Sequence, residues 1–370
     1  MKNNYIIRPR EASDFDDFIS LRRKVFGDDE EFIEFFDNCF RDDYLDFLII
    51  EDQDGGEMLQ ASLTQFDMGK LVVPEGKVSD IAGKSIEMSY AICTDPAARG
   101  KGYGSHITVY AREIAESSRK LSMLSPAEPS LINFYEPLEY KKFMYAEQGS
   151  VLVSEHVDFE FSKLQIKALT PQEYNNYREA ILANRVHIKL SEGALRFAAG
   201  LVAPDTAGSL PTLDARSADL AGSAPILDAG SADLAGSAPD FEAGSADLAG
   251  SAPDFEAESG APDCFGFLLI SDGAEPLAIA ACEAAEASSL AAAELLTFSE
   301  AGGHKELGIA IAKALATRCG AKRCDYMMPS RSGSETSAAL GMLSASYEEL
   351  SEVYSAANGE CPPYMGFTFG

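Results

Sequence analysis

The residues best suited to chemistry lie between Asp95 and Gly104, where Asp95-Pro96 is followed by Arg99-Gly100-Lys101-Gly102-Tyr103-Gly104. Glycines at such a turn let the backbone approach a ligand closely, and several N–H groups converge where a helix begins. With Arg99 and Lys101 beside it, that arrangement suits a pyrophosphate. Spacing excludes the commoner phosphate loops. No Gly-Lys-Ser/Thr closes a P-loop, and Gly100-Lys101-Gly102-Tyr103-Gly104 does not match G-x-G-x-x-G. What remains is Arg-x-x-Gly-x-Gly, set between a strand-forming run (Ile86 to Thr94) that Asp95-Pro96 stops and an amphipathic helix from about Ser105 to Ser118.

Beyond that helix, Leu121 to Leu124 reads as a strand, and Asn133-Phe134-Tyr135-Glu136-Pro137-Leu138-Glu139-Tyr140 follows. The motifs and their order resemble the GNAT (Gcn5-related) N-acetyltransferase superfamily, with its Gln/Arg-x-x-Gly-x-Gly/Ala signature and its later Phe-Tyr-Glu-x-Leu-Gly-Phe helix end. The resemblance implies acetyl-CoA as co-substrate, no metal, and a small-molecule or peptide amine as acceptor. Under it, Arg99, Gly100, Lys101, Gly102, Tyr103 and Gly104 hold the CoA pyrophosphate. Ile92 and Thr94 pair with the pantetheine arm along a splayed strand, where amides polarise the thioester.

Acyl transfer also needs a neutral amine and a proton for the departing thiolate. Tyr135 is the candidate acid, because a thiol with a pKa near ~8.5 needs only a well-placed donor such as a phenol near ~10. The base stays open among Glu87, an aqueous relay and the terminal carboxylate of Gly370, the last implied by the resemblance to two-GNAT acetyltransferases. Strand alternation puts Glu87, Ser89 and Ala91 on one face and Met88 and Tyr90 on the other. His106 reads as a helix-surface residue and Cys93 as packing, since direct transfer needs no acyl-enzyme. Two positions depart from the family pattern. Glu128 stands where Asn is frequent, and Glu139 replaces the glycine of Leu-Gly-Phe.

The elements that must position these residues follow from periodicity. A strand at Tyr5 to Arg8 precedes two helices carrying Phe15, Phe18, Ile19, Leu21 and Phe26, then Phe32, Phe35 and Phe36. Leu45 to Glu51 and Met58 to Phe66 form a strand pair around Asp54-Gly55-Gly56, and final strands run up to Val153. Together these make one mixed sheet with helices on both faces. In the second half Pro171 to Leu195 reads as helical, strands follow at Phe265 to Ile270, Leu277 to Cys282 and Ala292 to Phe298, and a helix at Glu306 to Cys319. That helix stands where a CoA helix would, but its turn, Glu300-Ala301-Gly302-Gly303-His304-Lys305, lacks the signature. The segments His187 to Ser191, Glu294 to Leu296, Leu340 to Met342 and Tyr364 to Gly366 resemble the second domain of two-GNAT bacterial acetyltransferases related to the enhanced intracellular survival proteins. The fold class expected is therefore α/β with a mixed sheet, as tandem GNAT-like domains, intact over 1–160 and degenerate over 161–370.

From Ala207 a 14-residue unit repeats four times, beginning AGSLPTLDARSADL. One apolar residue per seven, with glycines and prolines inside, cannot make a coiled coil or offset its ordering entropy. Residues 203–263 are expected to be a disordered acidic insert, with 12 acidic residues against one arginine. The whole chain, 370 residues with a formal charge of −29, carries no basic footprint for nucleic acid and no apolar run long enough to span a membrane. The N-terminal ten residues are too polar for a signal peptide. Seven cysteines with no C-x-x-C pair and four scattered histidines suggest reduced thiols, no zinc site and a cytoplasmic location. The acidic surface would suit a cationic amine. A rival reading is a non-catalytic acyl-CoA-sensing or partner-binding protein that uses the acidic repeats. Oligomeric state is not legible in the sequence.

Overall fold

The computed structural model describes residues 5–28, 30–40, 43–53, 56–74, 80–157, 161, 163–202, 265–285, 289–299, 302–330, 337–356 and 362–366. The repeats expected over 203–263, the turn Asp54-Gly55 and the candidate base Gly370 lie outside the described residues. The chain is α/β with a mixed sheet, as its sequence predicts, and divides into two compact units. Among the described residues, one gathers those up to Asp67 and Glu87–Ser122; the other gathers Met68–Ile86 and those from Met123 on. Compactness thus groups residues 123–157 with the second half of the chain, whereas sequence order groups them with the first.

In the first unit β1 (Tyr5–Pro9), β2 (Tyr44–Gln53), β3 (Gly56–Val72, up to Asp67) and β4 (Ser85–Thr94, from Glu87) stand side by side in that order. β2 pairs antiparallel with both β1 and β3, with Ile49 opposite Ile7 and Phe47 opposite Leu63. Helices α1 (Phe15–Phe26) and α2 (Glu30–Phe40) cover one face and α3 (Tyr103–Ser117) the other. The period of two in β2 makes this possible. Phe47 and Ile49 pack with Tyr103, Ile107, Tyr110 and Ala111 of α3, while Leu48 and Ile50 pack with Phe18, Ile19 and Ile33. Each fully buried Ile or Phe there stabilises the fold by about 1.5–3 kcal/mol. Those contacts hold the start of α3 against the sheet.

In the second unit the strands run β5 (Leu121–Leu124), β13 (Ser337–Ser344), β6 (Tyr140–Leu152), β12 (Arg323–Pro329), β11 (Ser289–Thr297), β10 (Glu275–Ala285), β9 (Gly266–Asp272) and β7 (Leu164–Ala168). β11 and β12 are parallel and are joined through the helix Lys305–Arg318. Its Leu307, Ile311, Ala312 and Leu315 pack onto Leu268, Ala280, Leu295 and Cys324. The strand–turn–helix–strand plan of residues 85–124 therefore recurs at 289–329.

The continuous helix expected over Pro171 to Leu195 is corrected. Helix α5 spans Pro171–Leu182, then β8 (His187–Leu190) pairs antiparallel with Gly69–Val72 of β3, and α6 (Glu192–Val202) resumes. Ile188 and Leu190 are buried while Lys189 is exposed, a strand's alternation that a helical window averages away. The backbone of Lys189 approaches Gly69 so closely that no Cβ fits there.

Candidate active site

The strand that leads to the glycine turn changes phase within its length. Tyr90 stacks on Phe36 at 5.5 Å and meets Phe66 edge-on, so it faces α1 and α2. Ile92, two residues on, packs instead into the α3 core, and Cys93 returns to the α2 face, where its Sγ lies 3.1 Å from Ser62 Oγ. The break is at Ala91, which sits at φ 48. A left-handed alanine costs about 1–2 kcal/mol and acts here as a bulge, adding one residue to the strand. The expected alternation holds from Glu87 to Tyr90 and fails at this kink. Cys93 is buried, and burial pushes its thiol up, so it rests as an inert neutral thiol.

After the kink, Asp95 caps a single 3-10 turn (Pro96–Ala98) by accepting from the Ala97 N–H at 2.8 Å. Burial opposes ionisation of Asp95, but the hydrogen bonds from Lys24 and Ala97 prevail and hold its carboxyl below the usual range. Gly100 and Gly102 both adopt left-handed φ, 80 and 81. A Cβ added at Gly100 would meet nothing within 4 Å, and one at Gly102 only the His106 ring, at 3.4 Å. The glycines thus serve the turn's conformation rather than close packing, and the space beside each is open. The first helical bond runs from His106 N to Gly102 O at 3.0 Å, and no side chain caps α3. The Tyr103, Gly104 and Ser105 amides precede the ladder at the positive end of the helix dipole.

Charge at this turn comes mainly from Arg99, which is exposed. Lys101 is engaged with Glu51 at 3.0 Å and lies 5.7 Å over the Tyr103 ring. Tyr103 is buried, and burial together with Glu51 pushes its phenol up to about 12. His106 is half-buried; its Nδ1 shares a 2.9 Å hydrogen bond with the Tyr5 hydroxyl, and burial lowers its pKa. It is a neutral packing residue behind the turn.

The turn before Lys305–Arg318 is the counterpart in the second unit, and it is filled. A Cβ at Gly303 would lie 2.6 Å from Pro329 O, and one at Gly302 would lie 3.2 Å from Pro329 Cγ. His304 caps the helix there, with Nδ1 accepting from Leu307 N at 3.3 Å. One turn is open and uncapped; the other is plugged and capped.

Glu87 faces the α3 side of β4 and is ion-paired with Lys120. Burial raises its carboxyl pKa, and Lys120 opposes that shift. Tyr135, at the end of the short helix α4 (Ile132–Tyr135), belongs to the second unit and is buried at 7% exposure. Its ring meets Phe134 and Tyr140 edge-on at 5.0 and 6.3 Å, and burial raises its phenol well above the ordinary value. The departures from the family pattern also have a structural reading. Glu139 adopts φ 70, ψ 14, the conformation a glycine would supply, so the backbone turn is kept. Glu128 is exposed and accepts from Ser130 Oγ at 3.1 Å.

The short segments singled out in the second half converge around a buried ion pair that periodicity does not reveal. Glu294 accepts from Tyr174 Oη at 2.6 Å and from Arg178 Nε at 3.2 Å, and all three side chains are fully buried. The signal in the sequence was charge placed among apolar strand residues, as in Ala293-Glu294-Leu295.

No protein-family model and no curated protein matches the sequence. Solved structures do match, and they define a class of fold: the chain has the fold of GCN5-related N-acetyltransferases. A GCN5-related N-acetyltransferase from Anabaena variabilis superposes with TM-score 0.52 at 11% identity, covering 92% of this chain and 72% of that one. One from Kribbella flavida gives 0.50 at 12% identity, with 92% and 71% covered. A conserved protein from Enterococcus faecalis gives 0.55 at 10% identity, with 92% and 72% covered. At such identities the likeness speaks for the fold alone.

Proposed function

We propose that this protein is an acyl-CoA-dependent N-acyltransferase that moves acetyl from acetyl-CoA to a primary amine by direct attack in a ternary complex. The observation that carries the reading is the open, uncapped turn at Gly100 and Gly102, placed directly after a kinked strand in a GNAT fold. Amides at the start of α3, with Arg99, bind the pyrophosphate. Residues Ile92 to Thr94 offer backbone groups to the pantetheine arm, and an amide there polarises the thioester carbonyl. The amine nitrogen bonds to the carbonyl carbon as the C–S bond breaks. Tyr135 gives its proton to the leaving thiolate, and the proton of the amine passes to Glu87, to the Gly370 carboxylate or to water. The ion pair with Lys120 favours a structural role for Glu87. The filled turn at Gly303 supports reading the second repeat as a degenerate partner, with one CoA bound per chain.

Calorimetric titration with acetyl-CoA tests this. The wild type should bind one equivalent at micromolar Kd, and Arg99→Glu should weaken binding by about tenfold or more, as for loss and reversal of a charge-assisted contact. Equal affinity in the two proteins sinks the assignment of the turn.

A further inference from the structure

A carboxylate stands against the glycine turn, where an anion site would be expected to exclude one. Glu51 lies on β2, opposite Tyr5 of β1 and Met58 of β3. Its Oε2 is 3.0 Å from Lys101 Nζ, and a hydrogen bond from the Tyr103 hydroxyl reaches the same side chain. One residue of β2 thus holds the side chains on both sides of Gly102, whose left-handed φ of 81 shapes the turn. Lys101 Nζ lies 5.7 Å over the Tyr103 ring, so the three side chains form one cluster.

The two members of the ion pair differ in burial: the Lys101 side chain is 45% exposed and that of Glu51 18%. A lysine is a point charge on a flexible stem and can turn toward a phosphate. Glu51, fixed in a strand and bonded to Tyr103, cannot withdraw. While Lys101 stays on Glu51, the pair brings no net charge to a pyrophosphate. When Lys101 turns away, a mostly buried carboxylate loses its counter-charge, and that loss offsets the new contact. In both arrangements the attraction due to Lys101 is largely cancelled, which leaves Arg99 and the amides at the start of α3 as the donors.

We infer that Glu51 is a positioning residue that holds Lys101 and Tyr103 on either side of Gly102 and, by withholding the charge of Lys101, weakens the grip of the turn on acetyl-CoA. The inference rests on the acyltransferase reading, in which this turn binds the pyrophosphate of the co-substrate.

Glu51→Gln keeps an acceptor for Lys101 and Tyr103 while removing the charge. In calorimetric titrations at low salt it should bind acetyl-CoA about fivefold more tightly than the wild type, and the gain should shrink to about twofold or less near ~0.5 M salt, as screening requires. Lys101→Met should weaken binding more in the Glu51→Gln background than in the wild type, a coupling that a purely structural role for Glu51 does not produce. Equal or weaker binding by folded Glu51→Gln overturns the inference, and so does a Lys101→Met loss of the same size in both backgrounds. If Glu51→Gln does not fold, Lys101→Met in the wild type decides: a loss above about fivefold overturns the inference, and a smaller one supports it. The same titrations with inorganic pyrophosphate separate the two readings. A wild type that takes no acetyl-CoA removes the acyltransferase reading; tighter pyrophosphate binding by Glu51→Gln then leaves the role of Glu51 standing, while pyrophosphate bound equally by both proteins, or by neither, overturns it.

Discussion

At the scale of single residues, Tyr135 and Glu87 separate two roles that the sequence left side by side. Tyr135 is a buried phenol that burial keeps protonated, while the same shift makes it a weaker acid; under the proposed reaction it is the donor to the departing thiolate. Tyr135→Phe should lower kcat by roughly 10²-fold with unchanged acetyl-CoA affinity, measured by thiol release at saturating acetyl-CoA; full turnover removes it from the mechanism. Glu87 is a half-buried carboxylate with Lys120 as its counter-charge, and Asp67 and Asp43 add to the negative field there. Its folded-state pKa is raised, so its folded form gains protons, and its contribution to stability falls as pH rises from about 4.3 through that pKa. Lys120→Met should therefore destabilise by about 1 kcal/mol at pH 7, a low figure because Lys120 is 41% exposed, and by less at pH 4. Chemical denaturation at the two pH values checks it, and an equal or larger loss at pH 4 contradicts the assignment. The identity of Tyr135 as a candidate was legible in Phe134-Tyr135-Glu136; the engagement of Glu87 was not, because Lys120 is 33 residues away in sequence.

At the scale of elements, two left-handed residues shape what surrounds the chemistry. Ala91 breaks the alternation of β4 and sends Tyr90 and Ile92 to opposite faces. Nothing in the run Ser89-Tyr90-Ala91-Ile92 signals that break, since alanine is not a residue that prefers positive φ. Glu139 closes the turn after α4 at φ 70. Glu139→Gly should raise stability by about 0.5–1 kcal/mol, because glycine takes this conformation without a Cβ clash. A rise of about 1–4 °C in Tm would accompany it, whereas a fall would show that the Glu139 side chain contributes more than its backbone costs. The misread helix at Pro171 to Leu195 belongs to this scale too. Its first twelve residues are helical, with a Thr170–Glu173 capping box, and before α6 begins it contains a strand, His187–Leu190, whose partner, Gly69–Val72, lies over a hundred residues upstream.

At the scale of the whole molecule, the strand–turn–helix–strand plan occurs twice, with an open turn in one copy and a plugged turn in the other. Among the described residues, no helix is long and apolar enough to cross a membrane, and no cluster of His, Cys, Asp and Glu suits a metal ion. The formal charge of −29 would repel an anionic co-substrate at long range, so the proposed binding would rest on local donors at the start of α3. About −11 of that charge lies in residues 203–263. Removal of Ala207 to Pro262 should therefore leave Tm and turnover within experimental error while slightly tightening acetyl-CoA binding at low salt. Loss of folding on that deletion would show that the repeats are structural.

The sequence by itself determined the order of the elements from β4 to α4, the glycine turn and the tyrosine-bearing helix end, because period, turn residues and local motifs are encoded over spans of fewer than about twenty residues. Only the tertiary structure decided which glycine turn is open, where β4 changes face, which carboxylate is already paired and what Arg178 holds. Each of those depends on what distant chain segments place beside a residue: Pro329 against Gly303, Lys120 against Glu87, and Met365 against Arg178.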